Sequence, residues 1–534
     1  MVSTIRILLL LLVVIAAVAV VAARLRIPLA IPLVLTGVAL ALVPGLPSIK
    51  LVPEAVLLLV LPPVIYSSAV AMSWREFRFN LRPISLLAVG GVVFTTVAVA
   101  AAMHWLLGMP WPLGFVLGAI VSPPDAVAPL SVARRMQIPR RILVILEGEG
   151  LANDATALIL YRFAVIAVSV GSFSLGEAAF NFVAVVAAEI AWGIAVGWAM
   201  LRLRRWVGDP RIEITLSIVT PFLAFWPPHD LGGSGVLATV VAGLYISWNG
   251  LLLISAATRL QGIFFWDFLI YITEGMVFLI TGLEMRDLLA RIDHFTMAEL
   301  IASAIVVTAV VILARFAWMY PVAYVPRWIS ASLRTRDPSP PWQWPFALAF
   351  TGIRGIVSLA AALAIPLTTA SGAPFPGRDL ILFLTFTVIL VTLVGQGLML
   401  PAVMRWLGLA HAGRAERDAE RLEEDRAREK AVEAACERLD ALAAERGLSD
   451  EFIAPIRTFH HDRVRQIENR IDGEEAHRQL RAQRDDVELL LIAAERQRIN
   501  ELYRDGKLKD EPRRRIEREL DLREAHLVNQ RGEA

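Results

Sequence analysis

The hydrophobic positions of this chain fall in runs of about 20 residues, the length a helix needs to cross ~30 Å of hydrocarbon. Thirteen segments can be drawn: 4–23, 27–43, 51–72, 83–107, 112–135, 142–165, 176–203, 212–226, 232–247, 263–284, 297–325, 343–366 and 380–407. Apolar and polar residues do not alternate at period two within them, which excludes a transmembrane β-barrel. The first run ends in Arg24-Leu25-Arg26, where a secretory leader would need small residues, so it reads as a retained helix. The run 212–226 is short and reads as tilted or partly interfacial. The expected fold is an all-α polytopic membrane protein.

From about His411 the pattern changes to Glu, Arg, Ala and Leu, with Leu422, Val432, Ala435, Leu439 and Leu442 at helical spacing. Gly447, Asp472-Gly473 and Gly506 punctuate this tail into three or four amphipathic helices. The expected organisation is a transmembrane domain over 1–408 and a charged, helical cytoplasmic tail over 409–534 with a regulatory role. The tail shows no phosphate loop and no cluster of metal-ligating residues.

Composition agrees with this division. The 534 residues are 56% hydrophobic, and a soluble chain of that length would split into several cores. A single cysteine, Cys436, excludes a disulfide framework and a cysteine-based metal centre within one chain. Net charge is only +2 but is unevenly placed. With the tail in the cytoplasm and an odd number of spans, the N-terminus lies outside. The inner loops then hold 17 arginines: Arg24, Arg26, Arg75, Arg78, Arg82, Arg134, Arg135, Arg140, Arg141, Arg202, Arg204, Arg205, Arg211, Arg259, Arg327, Arg334 and Arg336. The outer side holds five basic residues: Arg6, Lys50, Arg286, Arg291 and Arg378. This is the positive-inside asymmetry expected of a multi-pass membrane protein with its C-terminus in the cytoplasm. The 14 tryptophans fit interfacial anchoring, and membrane lipid is an expected partner while nucleic acid is not.

Against this background the stretch Val121–Phe163 stands out, because it places Asp125, Glu147, Glu149 and Asp154 in or beside spans. A charge in lipid costs a few kcal/mol or more, so such residues point to function. In Ser122-Pro123-Pro124-Asp125 the prolines lack the amides that would bond Ala119 and Ile120. The carbonyls so exposed would suit a hard cation, with the Asp125 carboxylate beside them. On the next span Asn153 lies nearly below Glu149, and Asp154 is turned about 100° further. The two acids thus face different partners: one can stay ionised while the other binds and releases a proton. Glu147 points to the opposite side from Glu149.

Two arginines, Arg315 and Arg354, also lie inside spans and need fixed anions. Thr351-Gly352-Ile353-Arg354-Gly355 reads as a second helix break, seven spans after the first. An odd offset reverses direction, so spans 1–6 and 8–13 read as inverted repeats. Paired interrupted helices in matching positions mark the midplane site of a transporter. At their crossing, Asp125 can meet the positive helix ends and Arg354 the negative ones. Glu189 and Glu274 lie mid-span and admit either a functional or a structural reading. His104 and Arg162 read as interfacial.

With Asp125 followed 24 residues later by Gly148-Glu149-Gly150-Leu151-Ala152-Asn153-Asp154, the chain resembles sodium/proton exchangers of the cation:proton antiporter superfamily, in the branch shared by bacteria and eukaryotes. Leu61-Pro62-Pro63, Ser234-Gly235-Val236-Leu237-Ala238, Leu313-Ala314-Arg315 and Gly352-Ile353-Arg354-Gly355 carry the likeness over most of residues 25–405. The resemblance implies a homodimer whose inverted-repeat core, roughly 83–165 and 297–407, moves against a dimer scaffold, roughly 1–82 and 176–284. It implies Asp154 as the exchange carboxylate, Asn153 as its neighbour, Glu149 paired with Arg315, and Asp125 and Arg354 at the helix crossing. The Asn-Asp pair resembles the electroneutral branch. Three positions depart from the family pattern: Ala126 stands where a proline follows the acid, Gly150 where a serine is usual, and Ser67 where an acid often follows Leu-Pro-Pro.

The expected function is exchange of a monovalent cation, Na⁺ first, for a proton, one for one, by competition for Asp154. Asp154 and Asp125 are the candidate ligands of the transported Na⁺, and no resident cofactor is expected. A K⁺-preferring antiporter and a passive cation channel use the same groups and remain alternatives. An intramembrane serine protease built on Gly232-Gly233-Ser234-Gly235 lacks a histidine base in any later span, since His294 falls in a loop and His411 at the tail.

Overall fold

The computed structural model describes residues 2–43, 53–170, 175–250, 253–289, 296–471 and 475–532. Lys50, Arg291, His294 and the Asp472-Gly473 turn fall outside them. The chain divides into two compact units, Met1–Arg414 and Ala415–Ala534. Among the described residues there is no strand, only an isolated bridge between Thr368 and Pro374.

The first unit opens with α1 (Val2–Leu25), α2 (Ala30–Ala41), α3 (Val56–Ala71), the short α4 (Trp74–Phe79) and α5 (Leu81–Leu107). A broken pair, α6 (Trp111–Val121) and α7 (Val127–Met136), follows, and then α8 (Arg140–Val170), α9 (Leu175–Arg204), α10 (Pro210–Asp230), α11 (Val236–Asn249) and α12 (Ala256–Leu283). After α13 (Met285–Leu289) come α14 (Met297–Ile329), α15 (Ala331–Arg336), a second broken pair, α16 (Gln343–Phe350) and α17 (Ile356–Leu363), and α18 (Arg378–Trp406). Every apolar segment drawn from the sequence overlaps one of these helices or a broken pair. Seven of them, α1, α5, α8, α9, α12, α14 and α18, are long and apolar enough to cross a membrane.

Local chemistry sets the helix ends. The Thr296 hydroxyl accepts the Glu299 N–H while the Glu299 carboxylate accepts the Thr296 N–H, a capping box that starts α14. Asp209 caps α10 by accepting the Arg211 N–H, with Pro210 in the first turn. The short run 212–226 therefore becomes a helix of 21 residues, longer than its apolar stretch. Wide π turns at Val56–Val60, Leu86–Gly91 and Val391–Gln396 interrupt α3, α5 and α18.

The heaviest packing falls into two groups, with α8 touching α11 and α17 touching α3 and α12 between them. In one, α6 packs on α5, α8, α17 and α18, and α14 packs on α5, α16 and α18. In the other, α11 packs on α3, α9 and α10, and α12 packs on α1 and α2. Helices α2 and α12 touch through glycines: a β-carbon on Gly282 would lie 2.7 Å from Val38 N and 2.8 Å from Gly37 Cα. Lipid gives helices no hydrophobic reason to associate, so close backbone contact at small residues supplies the attraction. The most apolar window of α18 is 67% buried, against 17% for that of α9, so α18 is central and α9 peripheral in this unit.

One loop acid ties helix ends together. Asp337 accepts hydrogen bonds from Arg82 at the start of α5, Arg141 at the start of α8 and Arg327 at the end of α14, each at 2.8 Å. Burial alone would push its carboxyl up, but Arg141 and Arg327 outweigh that and hold it below the usual carboxylate range.

The second unit holds most of α19 (Leu409–Arg446), and α20 (Asp450–Ile471), α21 (Glu475–Arg504) and α22 (Asp510–Gly532). Helices α21 and α22 pack together, with Ile492 and Leu520 buried, and Arg496 and Arg523 bridge to acids of the facing helix.

Candidate functional site

Two helix breaks meet at the centre of the first unit. The Ser122–Ala126 break separates α6 from α7, and Thr351–Gly355 separates α16 from α17. The Asp125 N–H donates to Ile353 O at 2.6 Å, joining the two breaks directly. Asp125 Oδ1 accepts the Val127 N–H at 2.9 Å, so this carboxylate caps the positive end of α7. It also lies against Gly355, where any β-carbon would collide with it. Only glycine lets the second break approach the acid so closely.

Arg354 is 1% exposed and reaches across the crossing. Its Nε donates to Val121 O at 2.9 Å and its Nη2 to Ser122 O at 3.4 Å, both at the C-terminal end of α6; Nη1 donates to Gly352 O. The Arg354 N–H donates to Thr392 Oγ1 at 3.1 Å. The guanidinium thus answers the negative end of one half-helix as Asp125 answers the positive end of another.

This arrangement corrects one expectation. The carbonyls of Ala119 and Ile120 were expected to face a cation. Instead Ala119 O accepts the Ser122 hydroxyl at 3.2 Å, Val121 O and Ser122 O accept Arg354, and Pro124 O accepts Asn153 Nδ2 at 2.7 Å. Four carbonyls around the break, Ala119 among them, are thus bonded within the protein.

Helix α8 carries the remaining acids. Glu149 is 2% exposed and pairs with Arg315 of α14, Nη1–Oε1 2.6 Å and Nη2–Oε2 2.9 Å, while Arg315 Nε donates to Leu348 O at 3.1 Å. Asn153 is fully buried; its amide nitrogen supports the break, and its Oδ1 accepts no hydrogen bond among the described residues. Asp154, one residue on, lines a cavity of about 520 Å³ instead. Asp125, Gly150, Ser67 and Ser68 line it too, as does Glu274 of α12. Asp154 accepts no hydrogen bond from the described residues. The cavity runs to Arg134 and Arg140, whose side chains are 63% and 45% exposed. Arg134 is paired with Glu147 at 2.7 Å, and Arg140 with Glu76 at 2.8 Å. Farther along α8, Leu158, Tyr161 and Ala164 are packed into the core.

Two sequence departures meet here. A β-carbon on Gly150 would come 2.7 Å from that of Ala126, so the small residues fit each other.

The mid-span acids part company. The Glu189 carboxylate accepts five donors at the start of α11: the Ser234 N–H and hydroxyl and the N–H groups of Gly235, Leu237 and Ala238. Glu274 has no such partners and opens on the cavity, which the sequence could not reveal. His104 stacks on Trp111 and bonds Met109 O, and Arg162 donates to His229. No group of three or more His, Cys, Asp or Glu able to hold a metal occurs among the described residues.

Comparison with known proteins places the sequence and the fold. The family profile described as "Sodium/hydrogen exchanger, transmembrane" matches residues 8–406. An uncharacterized Na⁺/H⁺ exchanger of Mycobacterium tuberculosis is 34% identical over 95% of this chain and 93% of its own length. The sodium, potassium, lithium and rubidium/H⁺ antiporter of Bacillus subtilis is 33% identical over 70% of this chain and 57% of its own length. The fold is similar to that of the sodium proton antiporter MjNhaP1 of Methanocaldococcus jannaschii, with TM-score 0.61 at 18% identity over 76% of this chain and 98% of that one.

Proposed function

The chain belongs to the sodium/hydrogen exchanger family of integral membrane transporters, and on that premise we propose that it exchanges monovalent cations, Na⁺ first, for protons by competition for Asp154. The observation that carries this reading is the isolation of Asp154. Glu149 is neutralised by Arg315 and Asp125 is engaged by backbone at the crossing. Asp154 alone on α8 meets the cavity without a partner. It can hold H⁺ or a metal ion, but not both. The empty anion is costly to carry through a low-dielectric core, whereas either loaded form is neutral. Exchange is then coupled one for one and is electroneutral.

In this reading all thirteen segments cross the membrane, the N-terminus is outside, and the tail is cytoplasmic and regulatory. The core, roughly 83–165 and 297–407, moves against a homodimeric scaffold of roughly 1–82 and 176–284. The two packing groups support that division, and so does Asp337, which clamps three core helices. The cavity reaches the arginine-rich side, so the conformation faces inward. Asp125 supports the site at the crossing, and Asn153 holds the break in register.

A broader cation range is the second reading. Four carbonyls around the first break are already bonded, and the Bacillus subtilis relative is named for four alkali cations. The test is proton flux from the purified full chain in liposomes, scanned over Na⁺, Li⁺ and K⁺ at clamped membrane potential. Cation-driven proton flux insensitive to potential is expected. Cation leak without proton movement would overturn the reading.

A further inference from the structure

Beside Asp154 and Asp125, the cavity is lined by three acids that the exchange reaction does not use: Glu147, which pairs with Arg134, exposed Asp267, and Glu274. Glu274 lines it from α12, on a different helix from Asp154 and Asp125. No hydrogen bond or ion pair among the described residues engages its carboxylate. The cavity's two arginines are held by other acids, Arg134 by Glu147 and Arg140 by Glu76. Neither therefore needs Glu274 as its counter-ion.

Glu189 shows what a structural glutamate looks like in this fold. It too lies mid-helix, and it is saturated by five donors from Ser234 to Ala238. Glu274 has no such set and faces open volume. Asp267 and Tyr271 precede it by seven and three residues and line the same cavity. At 3.6 residues per turn the three share one face of α12. That face leads from exposed Asp267 inward to Glu274. The α3 wall offers only neutral hydroxyls, Ser67 and Ser68. An acid at this depth is costly unless something positive meets it, and the described residues supply nothing that does.

We propose that Glu274 is a second cation-binding carboxylate, which receives the entering ion on the scaffold wall and shares it with Asp154 on the moving core. This rests on the exchange reading above. The scaffold acid raises the local cation concentration and adds a charged ligand, so it sets affinity, whereas Asp154 sets coupling. No bond is made or broken: the ion exchanges water for carboxylate oxygen.

The experiment is Na⁺-dependent proton flux in liposomes with the full chain. Glu274→Gln is expected to raise the half-saturating Na⁺ concentration about tenfold, more than it lowers the rate at saturation, because ligand charge governs affinity for a hard cation. In a Cys436→Ser background, Glu274→Cys labelled with a sulfonate-bearing thiosulfonate should recover affinity, while the ammonium-bearing reagent should not. This charge rescue separates a ligand from a packing residue. A further measurement leaves Glu274 untouched: the Asp154→Asn chain should still bind ²²Na⁺, more weakly than wild type. An unchanged half-saturating concentration in Glu274→Gln, equal behaviour of the two labels, or complete loss of ²²Na⁺ binding in Asp154→Asn would each overturn the proposal. If the wild type itself shows no Na⁺-dependent proton flux, the exchange reading fails first and this one with it.

Discussion

Arg315 holds Glu149 by two parallel hydrogen bonds of 2.6 and 2.9 Å, both side chains being buried. The pair removes one acid of α8 from ion chemistry and joins α8 to α14. Stranding either charge in the core costs about 3–5 kcal/mol. Glu149→Gln and Arg315→Gln are each expected to lower the melting midpoint in detergent, and the charge-swapped double variant to regain part of it. Melting curves of both singles that overlay wild type would show that the pair contributes nothing to stability.

Asp154 makes no stabilising contact that its charge is needed for. Asp154→Asn is therefore expected to fold and melt at or above the wild-type midpoint while showing no Na⁺-dependent proton flux. Residual exchange near the wild-type rate would remove Asp154 from the mechanism.

Gly355 leaves no room for a side chain beside the Asp125 carboxylate. Gly355→Ala should displace Asp125 or open the crossing at Asp125 N–Ile353 O. Overpacking of this kind costs about 1–3 kcal/mol. A fall in both melting midpoint and exchange rate is expected, measured on the same preparation. An unaffected rate would mean that the crossing yields without disturbing Asp154.

Asp337 gives a pH dependence whose sign follows from its depressed folded-state pKa. The unfolded chain titrates this acid near pH ~3.9. Its contribution is thus present above that value and is lost as pH falls through the lower folded one. At pH 7, Asp337→Asn should melt below wild type, and the gap should close as the pH is taken below about 4. A gap of constant size across that range would assign the effect to hydrogen bonding rather than charge.

The helices were legible because hydrocarbon enforces length and apolarity, and the two breaks because Pro123-Pro124 and the glycines at 352 and 355 weaken a helix beside a mid-span charge. The different outlooks of Glu149 and Asp154 followed from 3.6 residues per turn. What was not legible depends on distant partners. The fate of the break's carbonyls turns on Arg354, 233 residues from Val121. The clamp on Asp337 joins it to residues 255, 196 and 10 positions away, and its Pro-Ser-Pro-Pro setting marks nothing but a loop. Glu189 and Glu274 look alike in sequence, and only the location of the cavity tells them apart.

The contact between Gly150 and Ala126 makes those two positions genetically inseparable. Serine introduced at 150 alone meets the methyl group of its neighbour and would be scored as harmful, although the fault lies in the untouched residue. Glycine introduced at 126 alone would look like a mere loosening. A scan of single substitutions would record an intolerant site at 150 and a tolerant one at 126 where there is one shared volume, and only the double exchange would test whether a hydroxyl can be seated there.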